Sequence, residues 1–157
     1  MKKIIFLIFI LLLIYSFCYF IFPTEITIIQ LEKDKLNIET LLSKQPIVIE
    51  NKINTKFINN VFKYNIIKKY KNNKLWNRTS FKYTIIYANK NTNIFISNPK
   101  ELKTKIPNKE DIVIDIKLKK HQSIILPFRW YYSLLNKNDV LIYGIHDYIT
   151  YIYDFIS

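Results

Sequence analysis

The chain has 157 residues, of which 50% are hydrophobic, and its formal net charge is +12 at pH 7. This hydrophobic fraction excludes an intrinsically disordered chain, and the length suits one domain with a core of its own. The single glycine excludes a glycine-rich phosphate-binding loop, and the single cysteine excludes an intrachain disulfide.

The positive charge comes almost wholly from lysine, since Arg78 and Arg129 are the two arginines. Arginine is the usual reader of base edges, so the composition disfavours specific binding of nucleic acid. The lysines spread from Lys33 to Lys137 among asparagines, which predicts a solvated surface; the densest stretch, Lys63 to Lys74, is suited to weak binding of anionic lipid or phosphate. The scarcity of glycine, alanine and arginine is typical of an AT-rich genome, such as that of a large DNA virus, an endosymbiont or some protists.

An uncharged run of 19 residues extends from Ile4 to Phe22. As a helix it would be about 28 Å long, close to the hydrocarbon thickness of about 30 Å. This run predicts a single-pass transmembrane anchor at residues 1–23, whose partner is the lipid bilayer. Residues 24–157 would form the domain that follows.

Lys2 and Lys3 precede the apolar run and favour a cytoplasmic N-terminus. The alternative is a cleaved signal peptide, which would release a secreted basic β domain. The length of the run and the lack of a small-x-small cleavage site favour the anchor.

The first part of the domain mixes strand and helix patterns. Glu25 to Leu31 is typical of a strand, Asp34 to Ser43 of a short helix, and Pro46 to Glu50 of a β-branched strand. Asn54 to Lys71 has helical spacing of apolar residues but remains ambiguous. The prediction here is a small number of short helices beside early strands.

The second part is dominated by β patterns. Phe81 to Ala88, a turn at residues 89–92 and Asn93 to Ser97 predict a hairpin, and Asp111 to Leu118 alternates with period two. Further short β runs are predicted at Gln122 to Leu126, Trp130 to Leu135, Asp139 to Tyr143 and Ile149 to Phe155. The fold class is therefore mainly β, with an antiparallel sandwich or barrel after the N-terminal helix.

Few residues outside the apolar run offer chemistry. His146 and Asp147 are candidates for an acid/base or metal-binding pair, while the structural alternative is a turn in which Gly144 has a positive φ and Asp147 caps backbone amides. His121 lies beside two lysines and is expected to be exposed. Asn77 begins an Asn-Arg-Thr glycosylation sequon.

The most distinctive segment is Leu126 to Ser133, which reads LPFRWYYS. Trp130 and Tyr132 would point to the same face of a strand and fill the core, whereas the functional alternative places these aromatic side chains against a ligand. The core interpretation is favoured.

The order of PIVIE, the hairpin FKYTIIYANKNTNIFISNP and the late strand IILPFRWYYSL resembles the cupin-like, JmjC-related double-stranded β-helix family. In that family a late P-x-x-W-aromatic-His strand supplies an iron ligand. Pro127, Trp130 and Tyr131 match this strand, but Tyr132 stands in place of the histidine. The resemblance implies a cupin-like β domain from which this ligand is missing.

The earlier His-x-Asp/Glu pair of the family would fall near Trp76 to Ser80, where no histidine occurs. The sequence therefore predicts no metal and no cofactor, and a non-catalytic structural or binding module, for example in a viral membrane or virion. The alternative is an atypical Fe(II)/2-oxoglutarate oxygenase-like enzyme that uses His146 and Asp147. The protein partner is not identified by the sequence.

Overall fold

A computed structural model describes residues 2–18, 21, 23, 25–71, 74–98, 106–107 and 111–156. Phe22, the expected end of the anchor, and Pro99, the end of the hairpin motif, lie outside these residues. The α-helices of the described part are α1 (Lys2–Cys18), α2 (Ile38–Leu42), α3 (Thr55–Val61) and α4 (Tyr148–Ile156). Two 3-10 turns occur at Lys33–Lys35 and Lys137–Asp139.

The strands of the described part form two sheets. They are β1 (Ile29–Leu31), β2 (Ile47–Ile49), β3 (Ile66–Tyr70), β4 (Trp76–Arg78), β5 (Tyr83–Ala88), β6 (Thr92–Ser97), β7 (Val113–Leu118), β8 (Ser123–Pro127), β9 (Tyr131–Leu134) and β10 (Val140–His146). A six-stranded sheet has the order β1-β2-β8-β5-β10-β3, and a four-stranded sheet has the order β4-β9-β6-β7. The β1–β2 pair is parallel, and the remaining pairs are antiparallel.

The two sheets pack face to face around a core that we call the inner core. Alternate residues of each strand point to it, as the two-residue period of a strand requires. Ile86 of β5 lies opposite Ile124 of β8 and Ile142 of β10, so these three side chains share one face. From the four-stranded sheet, Ile94, Ile96, Tyr132 and Leu134 complete this core.

The other face of the six-stranded sheet carries a second core, the outer core. It is covered by the short helices α2 and α3, which contribute Leu41 and Ile58, and by Phe62 just after α3. Both helices begin at an asparagine whose side chain accepts a hydrogen bond from a backbone amide, Asn37 in α2 and Asn54 in α3. Because the six-stranded sheet has both faces covered, every residue of its central strand β5 is buried.

The N-terminal helix is shorter than the sequence predicts. The helix α1 has 17 residues and ends at Cys18, which gives a length of about 26 Å that includes two lysines. The ammonium group of Lys44 donates hydrogen bonds to the backbone carbonyls of Cys18 and Ile21. Both carbonyls lie in the segment that the sequence predicts to be one continuous helix up to Phe22.

Within the described residues, no helix has both the length and the apolar character needed to cross a membrane. The prediction of a transmembrane anchor between Ile4 and Phe22, and of a single-pass membrane location, is therefore wrong. The prediction of a mainly β fold with a few short helices is confirmed.

The last predicted strand is also a helix. Residues 149–155 belong to α4, not to a β run. The amide of Thr150 donates to Asp147 Oδ1 over 2.9 Å, and the amide of Asp147 donates to Thr150 Oγ1 over 3.0 Å. This reciprocal cap satisfies backbone donors at the start of a helix, and it explains why the aromatic run that follows is helical.

Candidate functional site

A cleft opens in the outer core, between the start of α3 and the six-stranded sheet, and we call it the outer cleft. Its volume is about 320 Å³. Its walls come from four regions that are distant in sequence: the residues around the start of α3, the strand β5, the turn before β8, and the strand β10. The lining residues are Lys52, Ile53, Asn54, Thr55, Ile58, Ile85, Tyr87, Asn89, His121, Leu141 and Tyr143.

The strand period explains which side chains reach the outer cleft. Ile86 of β5 and Ile142 of β10 point into the inner core, so their neighbours in each strand point the other way. Tyr87 and Tyr143 consequently carry their rings to the outer face, where Ile85 and Ile58 form an apolar floor. The cleft therefore combines an apolar base with polar groups near its rim.

The best-defined polar pair in the outer cleft is Tyr87 and His121. The Tyr87 hydroxyl and His121 Nδ1 are 2.5 Å apart, and either atom can be the donor. His121 has a φ of 73°, in the left-handed region, and its backbone amide donates to the Ala88 carbonyl over 2.8 Å. These contacts hold the imidazole beside the cleft and leave its second ring nitrogen for another partner.

The charged groups that line the outer cleft favour an anion. Lys52 supplies an exposed ammonium group, and the described lining contains no carboxylate. Asn54 and Asn89 add amide groups that can donate or accept hydrogen bonds. An apolar floor with a few polar groups at the rim is the usual constitution of a small-molecule site.

A second, smaller cavity of about 100 Å³ lies where the end of α1 meets the β8–β9 turn. Pro127, Phe128 and Trp130 line it together with Tyr15 and Cys18. Trp130 is fully buried, and its indole N–H has no hydrogen-bond partner among the described residues. This small apolar cavity offers much less room than the outer cleft.

The aromatic residues that the sequence singles out do not converge on one site. Trp130 and Tyr132 both belong to the inner core, and Trp130 also borders the small cavity. Tyr131 lies on the other face of β9, where the Arg78 guanidinium is 5.4 Å from the centre of its ring. Tyr131 is therefore separated from its two neighbours, which fill the inner core.

Tyr132 forms a buried hydrogen bond with Tyr70, with 2.9 Å between the two hydroxyl oxygens. Burial raises the pKa of Tyr70 to about 12, and its hydrogen bonds oppose this rise only in part. At neutral pH the Tyr70 hydroxyl is therefore protonated, and the pair forms a polar link between the two sheets.

His146 is fully buried at the end of β10, on the inner face. Its ring packs 4.4 Å from the centre of the Phe81 ring and 5.7 Å from that of Tyr151. Neither ring nitrogen has a hydrogen-bond partner among the described residues, although Nε2 is 3.6 Å from Asp154 Oδ2. Burial lowers the pKa of His146, and the Asp154 carboxylate opposes that change only in part.

The Asp147 carboxylate forms its hydrogen bonds and its ion pair with groups other than the His146 ring. It caps α4, lies 3.6 Å from Lys82 Nζ and accepts a 2.7 Å hydrogen bond from the Tyr15 hydroxyl. The expected turn at Gly144 is wrong, since no glycine has a positive φ and Gly144 is paired with strands on both sides. Gly144 is instead a site of close approach, because a Cβ there would overlap the Phe81 ring.

The structure keeps the two histidines apart. His146 lies on the inner face of the six-stranded sheet, and His121 lines the cleft on the outer face. Within the described part of the chain, no group of three or more His, Cys, Asp or Glu side chains is placed to hold a metal ion. The alternative prediction of an iron site built on His146 and Asp147 has no further ligand there.

The glycosylation sequon lies in β4. The Asn77 amide donates to the Lys74 carbonyl over 3.2 Å. Thr79, the third sequon residue, is buried, and its hydroxyl donates to the Pro127 carbonyl over 2.7 Å. In the folded domain the sequon threonine is therefore committed to an internal hydrogen bond.

The sequence interpretation expected His121 to be exposed, as it is, but it did not place this histidine in a site and it missed the aromatic and basic residues around it. Tyr87, Tyr143 and Lys52 belong to three separate segments that only the tertiary fold brings together. The alternation of Tyr83, Ile85 and Tyr87 was the available signal, but it does not distinguish a cleft from a filled core.

No protein-family model matches the chain, and neither the curated proteins nor the solved structures include a match.

Proposed function

We propose that the chain is a non-catalytic binding module that holds a small, anionic and partly apolar ligand in the outer cleft. The observation that carries this proposal is the cleft itself, with about 320 Å³ of space, an apolar floor and the hydrogen-bonded Tyr87–His121 pair at its edge. Ligand sites typically have volumes of about 300 to 1,000 Å³. The outer cleft is at the small end of that range.

The sign of the ligand charge follows from the groups that line the site. Lys52 is exposed at the rim, and it supplies the one full positive charge among the lysine, arginine and carboxylate side chains of the described lining. The other polar side chains of the lining are the amides of Asn54 and Asn89, the imidazole of His121, the Thr55 hydroxyl and the hydroxyls of two tyrosines. A carboxylate or phosphate at the rim would be attracted by Lys52, and an apolar or aromatic body would contact Ile58 and Ile85.

Binding without catalysis is supported by the chemistry of the lining. Among the described residues that border the cleft, none is a serine, cysteine, aspartate or glutamate, and Thr55 supplies the one aliphatic hydroxyl. The Tyr87–His121 pair therefore has no carboxylate beside it to orient the imidazole, as general-base catalysis usually requires. The proposed cupin-like ancestry rests on the short sequence motifs and on the two-sheet architecture.

Isothermal titration calorimetry of the full-length chain with 4-hydroxybenzoate tests this function. This probe joins a carboxylate to an aromatic ring and a hydroxyl. 4-Hydroxybenzyl alcohol is its uncharged counterpart and should bind about tenfold more weakly, which corresponds to about 1.4 kcal/mol. Equal affinity for both compounds would contradict an anion-selective site.

Lys52→Ala separates the cleft from the general positive charge of the protein. The affinity for 4-hydroxybenzoate should fall by about tenfold, because the rim ammonium is lost. Lys56→Ala is the matched control, since Lys56 is exposed on α3 but does not line the cleft. Equal losses in the two variants would show that the probe responds to overall charge, and no binding at millimolar concentration would reject the probe's ligand class.

A further inference from the structure

A long segment of the sequence lacks acidic residues. Between Glu50 and Glu101 there is no aspartate or glutamate, while the same segment contains ten lysines and one arginine. The segment includes α3, β3, β4, β5 and β6. Nearly half of the basic residues of the chain therefore lie in a segment without any carboxylate of its own.

The strand β3 brings part of this segment to an open edge. It pairs with β10 on one side and ends the order of the six-stranded sheet, so no strand of the described part pairs with its other side. The backbone amides and carbonyls along that side are available to a further strand. The sequence of the edge is Ile66, Ile67, Lys68, Lys69 and Tyr70.

Lys68 and Lys69 are consecutive, so their side chains leave opposite faces of the sheet. Both are exposed, and neither forms an ion pair with a carboxylate of the described residues. Lys68 Nζ lies 4.8 Å from the centre of the Tyr151 ring on one face. The open edge is therefore basic on both faces.

The carboxylates near this edge are already engaged. Asp147 accepts from Tyr15 and lies 3.6 Å from the Lys82 ammonium. Asp154 faces the imidazole of His146. Lys68 and Lys69 can therefore form ion pairs with carboxylates of another molecule.

We propose that the open edge of β3 binds an extended acidic segment of a partner protein, which adds to the sheet as an antiparallel strand. Two consecutive acidic residues of that segment would lie opposite Lys68 and Lys69, with one on each face. Apolar residues before and after them would lie opposite Tyr70 and opposite Ile67 and Ile66. Backbone hydrogen bonds supply affinity in such a complex, and cross-strand charge pairs select the sequence and register.

A nucleic acid fits this edge less well than an acidic peptide does. A phosphate backbone contacts a groove or one surface, whereas Lys68 and Lys69 project to opposite faces. Alternation between faces is instead the geometry that a β-strand requires. Lysines at an open edge also prevent pairing with unspecific apolar strands, which leaves acidic strands as the favoured partners.

Fluorescence anisotropy with a labelled peptide Thr-Val-Glu-Glu-Val-Val-Thr tests the proposal on the full-length chain. The expected result is saturable binding that weakens as salt is added, because charge pairs at a surface are screened. A peptide with Lys-Lys in place of Glu-Glu should bind at least tenfold more weakly. A peptide of the same composition whose glutamates are separated should also bind more weakly, because it cannot place one acid opposite each lysine.

The double variant Lys68→Glu/Lys69→Glu should lose affinity for the acidic peptide and gain affinity for the Lys-Lys peptide. This reversal is an outcome that a poorly folded variant would not give. Lys33→Glu/Lys35→Glu is the matched control, with the same change of net charge on the turn that follows β1, at the opposite end of the six-stranded sheet from β3. Lys35 is exposed there and Lys33 is partly exposed. It should keep its affinity for the acidic peptide within about twofold.

Three results would overturn the proposal. Equal binding of the acidic peptide and its separated-glutamate form would show unspecific charge attraction. Tighter binding of an oligo-dT strand, lost in Lys68→Glu/Lys69→Glu, would assign the edge to nucleic acid. Self-association of the peptide-free chain in light scattering, abolished by that double variant, would assign it to a second copy.

Discussion

The two faces of the six-stranded sheet are covered in different ways. On the inner face a second sheet packs over the strands, and Ile86, Ile124 and Trp130 have no exposed surface in that core. On the outer face the cover consists of α2, with five residues, and α3, with seven. A sheet covers another sheet continuously, whereas two short helices leave a gap, and the outer cleft occupies that gap.

This difference assigns different tasks to the two faces. The inner face supplies the cohesion of the domain, since its apolar side chains come from both sheets. The outer face gives a ligand access to the domain, since its cleft opens beside the exposed residues Lys52 and His121. Substitutions on the inner face should therefore change stability, and substitutions at the cleft should change binding.

The largest effect is expected for Trp130→Ala. Removal of this fully buried side chain should lower the free energy of unfolding by about 3 to 5 kcal/mol, because it leaves a large void. Chemical denaturation followed by circular dichroism measures the loss. Leu135→Ala is the control, since Leu135 is 64% exposed, and it should change stability by less than about 0.5 kcal/mol. Equal effects of the two substitutions would contradict the described inner face.

Gly144→Ala should be destabilising by about 1 to 3 kcal/mol, because the new methyl group would overlap the Phe81 ring. The double variant Gly144→Ala/Phe81→Ala should show a smaller cost for the alanine at 144 than the single variant does. A thermodynamic cycle from the four denaturation curves measures this coupling. Additive changes in the free energy of unfolding would mean that the side chains at positions 144 and 81 do not contact each other.

Lowering the pH should reduce the free energy of unfolding, because His146 is buried in its neutral form. Its pKa in the folded state is below the ordinary value of about 6.5, so the unfolded chain binds the proton more readily. The stability that neutral His146 contributes is present above about pH 6.5 and is lost as the pH falls toward the folded pKa. One proton changes the unfolding free energy by at most about 1.4 kcal/mol per pH unit.

Denaturation curves at pH 7.5 and pH 5.5 check this prediction. The fall in stability between the two values should be smaller in His146→Phe than in the parent chain. Asp154, Asp147 and Lys68 face this histidine as well, and all three stay in place in the variant. A parent chain that becomes more stable at pH 5.5, with the gain absent from the variant, would mean that the Asp154 carboxylate outweighs burial.

The sequence was sufficient for much of the β architecture. The positions of β5, β6 and the alternating strand β7 follow directly from apolar periodicity. The predicted hairpin of Phe81 to Ala88 with Asn93 to Ser97 is wrong, because β5 pairs with β8 and β10 in the six-stranded sheet and β6 pairs with β7 and β9 in the four-stranded sheet. The prediction of secondary structure from the sequence failed at both ends of the chain for local reasons. At the N-terminus the helix ends at Cys18, near the Lys44 ammonium, and at the C-terminus the Asp147–Thr150 cap begins a helix where alternation predicted a strand.

The candidate site was the harder problem. The sequence directed attention to rare residues and motifs, such as His146 and the Trp130 segment, and the structure places these in the interior. The outer cleft depends on Lys52, Tyr87, His121 and Tyr143, four residues of ordinary type that meet only through the packing of α3 on the sheet. Periodicity shows which face a side chain takes, but it does not show where the opposite layer stops.

The smallest stability effect is expected for Tyr87→Phe at the cleft. The substitution keeps the ring and removes the hydroxyl that pairs with His121. The free energy of unfolding should therefore fall by about 0.5 to 1.5 kcal/mol. The affinity for 4-hydroxybenzoate should change as well, because His121 is no longer held in place. Tyr64→Phe, on an 84% exposed ring, is the control and should affect neither quantity.

The most direct test of the account is an amide chemical-shift titration of the ¹⁵N-labelled chain with 4-hydroxybenzoate. The account predicts that the shifts concentrate on the residues around the outer cleft, with the largest changes near Tyr87, Asn89, His121 and Tyr143. The inner-core amides of β6 and β9 should stay unchanged. Shifts centred on Tyr15 and Trp130 at the small cavity, or spread evenly over the surface lysines, would contradict the central claim.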